Sequence, residues 1–131
     1  MKLFRILALA ALVISPLAAA DIVIIAHPSG VSGLSENEVR NIYLNRNRSA
    51  TPIEMVQGTD ERAAFHSSVT GRTEAQLRSF WAQQMFTGEG EPPEEVSSAS
   101  AMKSAVANDP SAIGYLMADD VDDSVTVILT P

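Results

Sequence analysis

The chain has 131 residues with 9 basic and 16 acidic side chains, a formal net charge of −7 and no cysteine. Such an acidic chain repels nucleic acids and anionic membrane surfaces, so neither is an expected partner. The absence of cysteine excludes disulfide scaffolds, thiol nucleophiles and cysteine-ligated zinc. The length supports one domain with a modest core.

The first twenty residues have the composition of a secretory signal peptide. Two basic residues precede an apolar run from Ile6 to Ile14, and small residues ending at Ala20 come before Asp21. This pattern is typical of cleaved signals, and the run is short for a membrane span. We therefore expect cleavage after Ala20, a periplasmic domain at residues 21–131 and no membrane insertion after cleavage. An uncleaved anchor is the alternative.

Strands and helices alternate along residues 21–131. The strands are predicted at Ile22–Ile25, Pro52–Gln57, Ile113–Met117 and Val125–Leu129, and the helices begin near Ser35, Asp60, Thr73 and Ala101. The first strand is a β-branched run that indicates burial on both faces. The helices at Ser35 and Thr73 each begin with the pattern of a capping box. The alternation predicts an α/β fold, a three-layer single domain with a mixed sheet.

The predicted helix from Thr73 carries an apolar stripe, in which Trp81 with Phe80 and Leu77 is most simply core. Its members are Leu77, Phe80, Trp81 and Met85, and their spacing places them on one helical face. The following segment, Glu89–Glu95, is acidic and contains two prolines. It reads as a loop that is either a solvated face or a semi-rigid contact surface.

The segment from Ile53 to Phe65 reads as a buried strand that breaks at Gly58 and continues directly as a helix. Such a turn presents free backbone N–H groups to an anion. Thr59 or Asp60 can cap the helix, because a short side-chain oxygen accepts a hydrogen bond from an unpaired N–H. The sequence thus predicts either an anion-binding turn or only a capped helix.

Three segments resemble, in the same order, those of the phosphate-binding proteins of ABC transporters. Residues 34–46 (LSENEVRNIYLNR), 59–65 (TDERAAF) and 109–115 (DPSAIGY) are similar to that family's L-x-x-x-E-L-x-x-I-(Y/F)-L-G-K, D-G-S-G-T-R-E-A-F and x-P-G-A-I-G-Y patterns. The resemblance implies a type II periplasmic-binding-protein fold. Since those proteins have two lobes, residues 21–131 are expected to resemble a single lobe.

The resemblance also implies which residues contact a ligand. Gly58 stands where the family has its first glycine, Thr59 stands where it has serine, and Arg62 matches the family's arginine. We expect a phosphate or oxyanion site at these three residues, together with Ser29 and Gly30 in the loop after the first strand.

Four neighbouring positions depart from the family pattern, namely Met55, Gln57, Asp60 and Glu61. Carboxylates in the first helical turn compete for its N–H groups and repel a dianion. At about 5 Å and an effective dielectric constant of about 20, one such repulsion is about 3 kcal/mol, or roughly a hundredfold in affinity. The same two carboxylates are favourable at a helix start, so a self-capped helix is the alternative.

No pattern indicates catalysis, a metal or a cofactor. The two histidines, His27 and His66, lack metal-ligand spacing, and Asp119–Asp123 lacks the glycine and distal glutamate of a calcium loop. No nucleophile elbow is present, so we expect no enzyme. The leading hypothesis is a secreted phosphate-binding protein that serves a membrane transporter. The alternative is a periplasmic interaction or sensor-input module that kept the fold and lost the ligand.

Overall fold

Five strands form one mixed sheet in the computed structural model, which describes residues 21–131. The strands are β1 (Ile22–Ala26), β2 (Thr51–Met55), β3 (Glu94–Val96), β4 (Ala112–Met117) and β5 (Thr126–Leu129). Their order across the sheet is β3-β2-β4-β1-β5. The predicted signal peptide lies outside the described residues.

Four α-helices connect these strands, and each has a side-chain N-cap. They are α1 (Glu36–Tyr43), α2 (Asp60–Phe65), α3 (Glu74–Phe86) and α4 (Ala99–Ala107). A π-helical turn at His66–Thr70 extends α2, and a 3-10 turn follows β4 at Ala118–Asp120. The capping side chains are Ser35, Thr59, Thr73 and Ser98. At Thr73 both hydrogen bonds of the predicted capping box are present.

The strand directions give the sheet two different edges. β2 runs parallel to β3 and β4, whereas β1 is antiparallel to β4 and β5. The end of β2 therefore lies at the same edge as the ends of β3 and β4, which we call the carboxyl edge. The end of β1 lies at the opposite edge, because Ala26 pairs with Ile113 near the start of β4.

Helices cover both faces of the sheet, which gives the three layers that the sequence predicts. On one face, Gly114 lets α4 approach so closely that a Cβ atom there would lie 2.5 Å from the Sδ of Met102. On the other face, the Tyr115 ring stacks on Phe65 with centroids 4.2 Å apart. Successive strand residues point to opposite faces, so α4 and α2 lie on different sides. The predicted α/β fold class is confirmed.

Two expectations about α3 and the segment after it were wrong. Only Leu77 of α3 is buried, whereas Phe80 and Trp81 are half-buried and Met85 is exposed. The stripe therefore lies beside the core rather than inside it. The segment predicted to be only a loop ends in the short edge strand β3, which forms by parallel pairing with β2.

No helix in the described part of the chain is both long and apolar enough to cross a membrane.

Candidate functional site

The turn between β2 and α2 lies at the carboxyl edge of the sheet, and we call residues 56–59 the Gly58 turn. Gly58 has a φ of +95°, a conformation that glycine adopts without strain. Thr59 is the N-cap, and its hydroxyl accepts a hydrogen bond from the backbone N–H of Arg62 at 3.3 Å. The same hydroxyl donates to the carbonyl of Val56 at 3.0 Å. Both hydrogen bonds are internal, so the hydroxyl already serves the helix start.

The first turn of α2 carries the two carboxylates that depart from the family pattern. Asp60 is exposed and Glu61 is half-buried, and both lie in that first turn. Negative side chains there are attracted by the partial positive charge of the helix N-terminus. They therefore stabilise α2 and reduce the positive electrostatic potential that would attract an anion to this turn.

Arg62 is engaged inside the protein, with only 8% of its surface exposed. Its Nε and Nη2 donate to the two carboxylate oxygens of Glu74 at 2.7 and 3.0 Å, which is a bidentate pair. Its Nη1 donates to the carbonyl of Met55 at 2.8 Å and to Glu95 at 3.3 Å. The hydrogen bond from Arg62 lowers the pKa of the Glu74 carboxyl below its ordinary value. The guanidinium thus joins α2, β2, α3 and β3.

An open cleft of about 620 Å³ adjoins the Gly58 turn, and we call it the Gly58 cleft. Its lining includes Gly58, Thr59, Asp60 and residues 71–74. Arg72 lines this cleft, whereas Arg62 lines a different cavity beside α3. Gly58 and Thr59 therefore line the cleft, whereas Arg62, the third residue that matches the family pattern, does not.

Ser29 and Gly30 lie at the opposite edge of the sheet. The N–H of Ser29 donates to the imidazole Nδ1 of His27, and a Cβ atom on Gly30 would lie 2.4 Å from the carbonyl oxygen of Pro110. This loop packs beside the start of β4, while the Gly58 turn follows the end of β2. A five-residue strand of about 3.3 Å per residue separates them. The structure therefore does not bring these two parts of the expected site together.

A buried polar cluster lies beneath α2, and sequence reasoning did not find it. Glu54 of β2 is only 4% exposed. Its carboxylate accepts a hydrogen bond from the hydroxyl of Tyr115, and both of its oxygens lie 3.1 Å from Nε2 of His66. Nδ1 of His66 lies 2.7 Å from the hydroxyl of Thr70. A charged residue within a predicted buried strand was the available signal.

The polar atoms of this cluster are satisfied internally, although His66 lines the Gly58 cleft and Glu54 lines the cavity beside α3. The Tyr115 hydroxyl also accepts from the backbone N–H of Met55 at 3.0 Å. Burial and the adjacent Glu54 carboxylate raise the pKa of Tyr115 well above its ordinary value. Among residues 21–131, no buried side-chain polar atom lacks a hydrogen-bond partner, and no three acidic or histidine side chains group as metal ligands. The cluster therefore acts as a polar part of the core.

Comparisons with known proteins support the fold and the partial length. No protein-family model matches the chain, and no curated protein matches it significantly. An ABC-type phosphate transport receptor from Vibrio cholerae aligns with a TM-score of 0.64 at 19% identity. A putative phosphate ABC transporter substrate-binding protein with bound phosphate, from Clostridium perfringens, aligns with a TM-score of 0.65 at 21% identity. PstS from Borrelia burgdorferi aligns with a TM-score of 0.60 at 9% identity.

Each alignment covers 82% of this chain but only 45%, 44% and 46% of the respective receptors. The chain thus spans less than half the length of the proteins that it resembles. The resemblance read from the three sequence segments is confirmed as a likeness of fold. The chain has the fold of one lobe of the substrate-binding proteins of phosphate ABC transporters.

Proposed function

We propose that residues 21–131 form a periplasmic interaction module that keeps the fold of a phosphate-binding lobe without its ligand. The observation that carries this proposal is the engagement of Arg62 by Glu74, Glu95 and the carbonyl of Met55. A bound anion would have to displace some of these charge-assisted hydrogen bonds, each of which contributes about 1.5–3 kcal/mol. Asp60 and Glu61 would repel the same anion.

The partner of such a module is a protein, in the class of a membrane transporter or a sensor. The predicted signal peptide supports a periplasmic location for this activity.

Thermal unfolding in the presence of phosphate tests the proposal. Phosphate and sulfate are compared with chloride at matched ionic strength, and we expect no shift specific to either oxyanion. A ligand at about a hundred times its dissociation constant adds about 2.7 kcal/mol, which for a domain of this size raises Tm by on the order of 10 °C. A saturable, phosphate-specific rise in Tm would refute the loss of the ligand.

A double variant tests whether the carboxylates in the first turn of α2 are what prevents phosphate binding. Asp60→Gly with Glu61→Thr restores the family residues in the first turn of α2, and we expect it to gain a weak phosphate response. The matched control is Glu36→Gln with Glu38→Gln, which removes two carboxylates from the first turn of α1. The same response in both variants would indicate a general effect of charge.

One observation favours a second candidate, a weak oxyanion carrier of the transporter type. Arg72 lines the Gly58 cleft together with Thr59, and its guanidinium carbon is held 5.0 Å from the ring centroid of Phe80. A wild-type phosphate response that is abolished by Arg72→Gln would support this candidate over the interaction module.

A further inference from the structure

The carboxyl-terminal half of α3 presents apolar side chains to solvent. Phe86 is 92% exposed and Met85 is 53% exposed, while Trp81 one turn earlier is half-buried. Pro92 and Pro93 face the same helix across a cavity. We call these five residues the α3 surface. Adjacent exposed apolar side chains with a polar rim mark an interaction site more often than an isolated one does.

The cavity within the α3 surface is small. Its volume is about 280 Å³, and its apolar wall consists of Leu77, Trp81, Ala82, Met85, Pro92 and Pro93. This volume lies at the lower end of the range of about 300–1,000 Å³ that is usual for sites of small-molecule ligands. A pocket of this size in an apolar surface suits a single anchoring side chain of a protein partner.

The charges around the cavity determine which side chain fits. Residues 86–96 contain four glutamates and no lysine or arginine. Glu95 lines the cavity, its side chain is 45% exposed, and its ion pair with Arg62 is long at 3.3 Å. Glu74 has both oxygens occupied by Arg62, whereas Glu95 keeps capacity for a second cation. The charged residues that line the cavity have a formal excess of one negative charge: they are Glu54, Glu74 and Glu95 against Arg62 and Arg78. A positively charged occupant is therefore favoured.

Arginine fits this position better than lysine. A guanidinium stacks on an aromatic face and donates two parallel hydrogen bonds to a carboxylate, and both groups are present here in Trp81 and Glu95. Arg62 already places one guanidinium between Glu74 and Glu95. The apolar wall would contact the methylene stem of the incoming side chain.

We propose that the α3 surface binds an apolar, arginine-bearing segment of a partner protein, with the arginine in the cavity against Trp81 and its guanidinium on Glu95. Phe86 extends the contact beyond the cavity. This inference rests on the proposed function, because it names the surface through which the interaction module would act.

The test uses tryptophan fluorescence, since Trp81 is the only tryptophan in the sequence. The purified protein is titrated with N-acetyl-Leu-Arg-Leu-amide and with the analogue in which citrulline replaces arginine. Citrulline keeps the shape of arginine but carries no charge. We expect a saturable change with the arginine peptide and about tenfold weaker binding of the citrulline peptide, as the loss of one charge-assisted hydrogen bond predicts. Equal binding of both peptides, or no saturable change with either, would overturn the proposal.

Variants with opposite expected effects strengthen the test. Glu95→Gln should weaken arginine-peptide binding about tenfold. Arg78→Gln should strengthen it, because Arg78 lines the cavity and repels the incoming cation. Glu38→Gln, an exposed carboxylate on α1, is the matched control and should leave binding unchanged. A gain in the Arg78 variant cannot come from misfolding, so its absence would count against the cavity as the site.

Self-association is a different outcome for the same surface. If a second copy covers the α3 surface, Phe86→Ser will convert a dimer to a monomer in sedimentation experiments, and this result would overturn the peptide proposal. A phosphate-dependent rise in Tm would refute the proposed function while leaving the Trp81 titration unaffected. If the arginine peptide leaves Trp81 fluorescence unchanged and phosphate leaves Tm unchanged, only the docking proposal is refuted.

Discussion

Replacing Arg62 with alanine should destabilise the domain by about 3 kcal/mol, toward the lower end of what breaking a buried ion pair costs. The substitution leaves the buried carbonyl of Met55 without its donor and removes both hydrogen bonds to Glu74. An unsatisfied buried acceptor alone costs about 1–3 kcal/mol. Glu74 and Glu95 are partly exposed, so water replaces part of what they lose and the total stays well below the sum of four full hydrogen bonds.

Urea unfolding followed by circular dichroism measures this effect. Arg78→Ala is the control, because Arg78 is exposed on α3 and surface substitutions usually change stability by less than about 0.5 kcal/mol. A double-mutant cycle with Glu74→Gln should give a coupling energy of about 1 kcal/mol or more. If Arg62→Ala were as mild as Arg78→Ala, Arg62 would not be engaged internally, and the reasoning against anion binding would fail.

The pH dependence of the same variants gives an independent measurement. The hydrogen bond from Arg62 lowers the pKa of Glu74 in the folded state, whereas a glutamate carboxyl in the unfolded chain has a pKa of about 4.3. The contribution of the Arg62–Glu74 ion pair to the free energy of unfolding is therefore fully present above the pKa of the unfolded carboxyl. It is lost as the pH falls through the pKa of Glu74 in the folded state. We expect wild type to lose more stability than Arg62→Ala in this acid range. Parallel curves would contradict the ion pair.

Three further predictions follow from other parts of the molecule. Tyr115→Phe removes the hydroxyl that donates to Glu54 and should cost about 1–3 kcal/mol in urea unfolding; unchanged stability would mean that the carboxylate is solvated. Gly30→Ala should cost about 1–3 kcal/mol, because the new Cβ would lie 2.4 Å from the carbonyl oxygen of Pro110; an unchanged Tm would show that this loop shifts freely. Mass spectrometry of the exported protein should find Asp21 as the first residue, and a retained N-terminal segment would identify the anchor instead.

Local patterns in the sequence predicted most of the fold. The β-branched run in β1 and the capping box at Thr73 are short-range signals, and both elements have the predicted character. The edge strand Glu94–Val96 escaped prediction because it pairs with β2 through its backbone, which leaves no mark on its acidic side chains. The stripe from Leu77 to Met85 predicted the helix correctly but not its depth, since periodicity identifies an apolar face and does not say what covers it.

The site was less predictable because it depends on distant partners. The sequence predicted the turn at Gly58 and a cap at Thr59 or Asp60, of which the structure has Thr59; both features involve residues within three positions. The separation of Ser29–Gly30 from that turn depends on β1 running antiparallel to β4, a direction that no local pattern encodes. The contacts of Arg62 with α3 and β3 likewise join segments that only the folded chain brings together.

The engagement of Arg62 and the exposure of the α3 surface are connected by the position of α3. Leu77 is the only buried residue of that helix, so apolar packing alone holds it weakly. The Arg62 guanidinium, which binds Glu74 on α3 as well as Glu95 on β3, provides a second attachment. An arginine released to hold an anion would loosen α3 from the sheet. The internal ion pair, which we propose disfavours phosphate, therefore also holds α3 in place and with it the surface proposed for a partner.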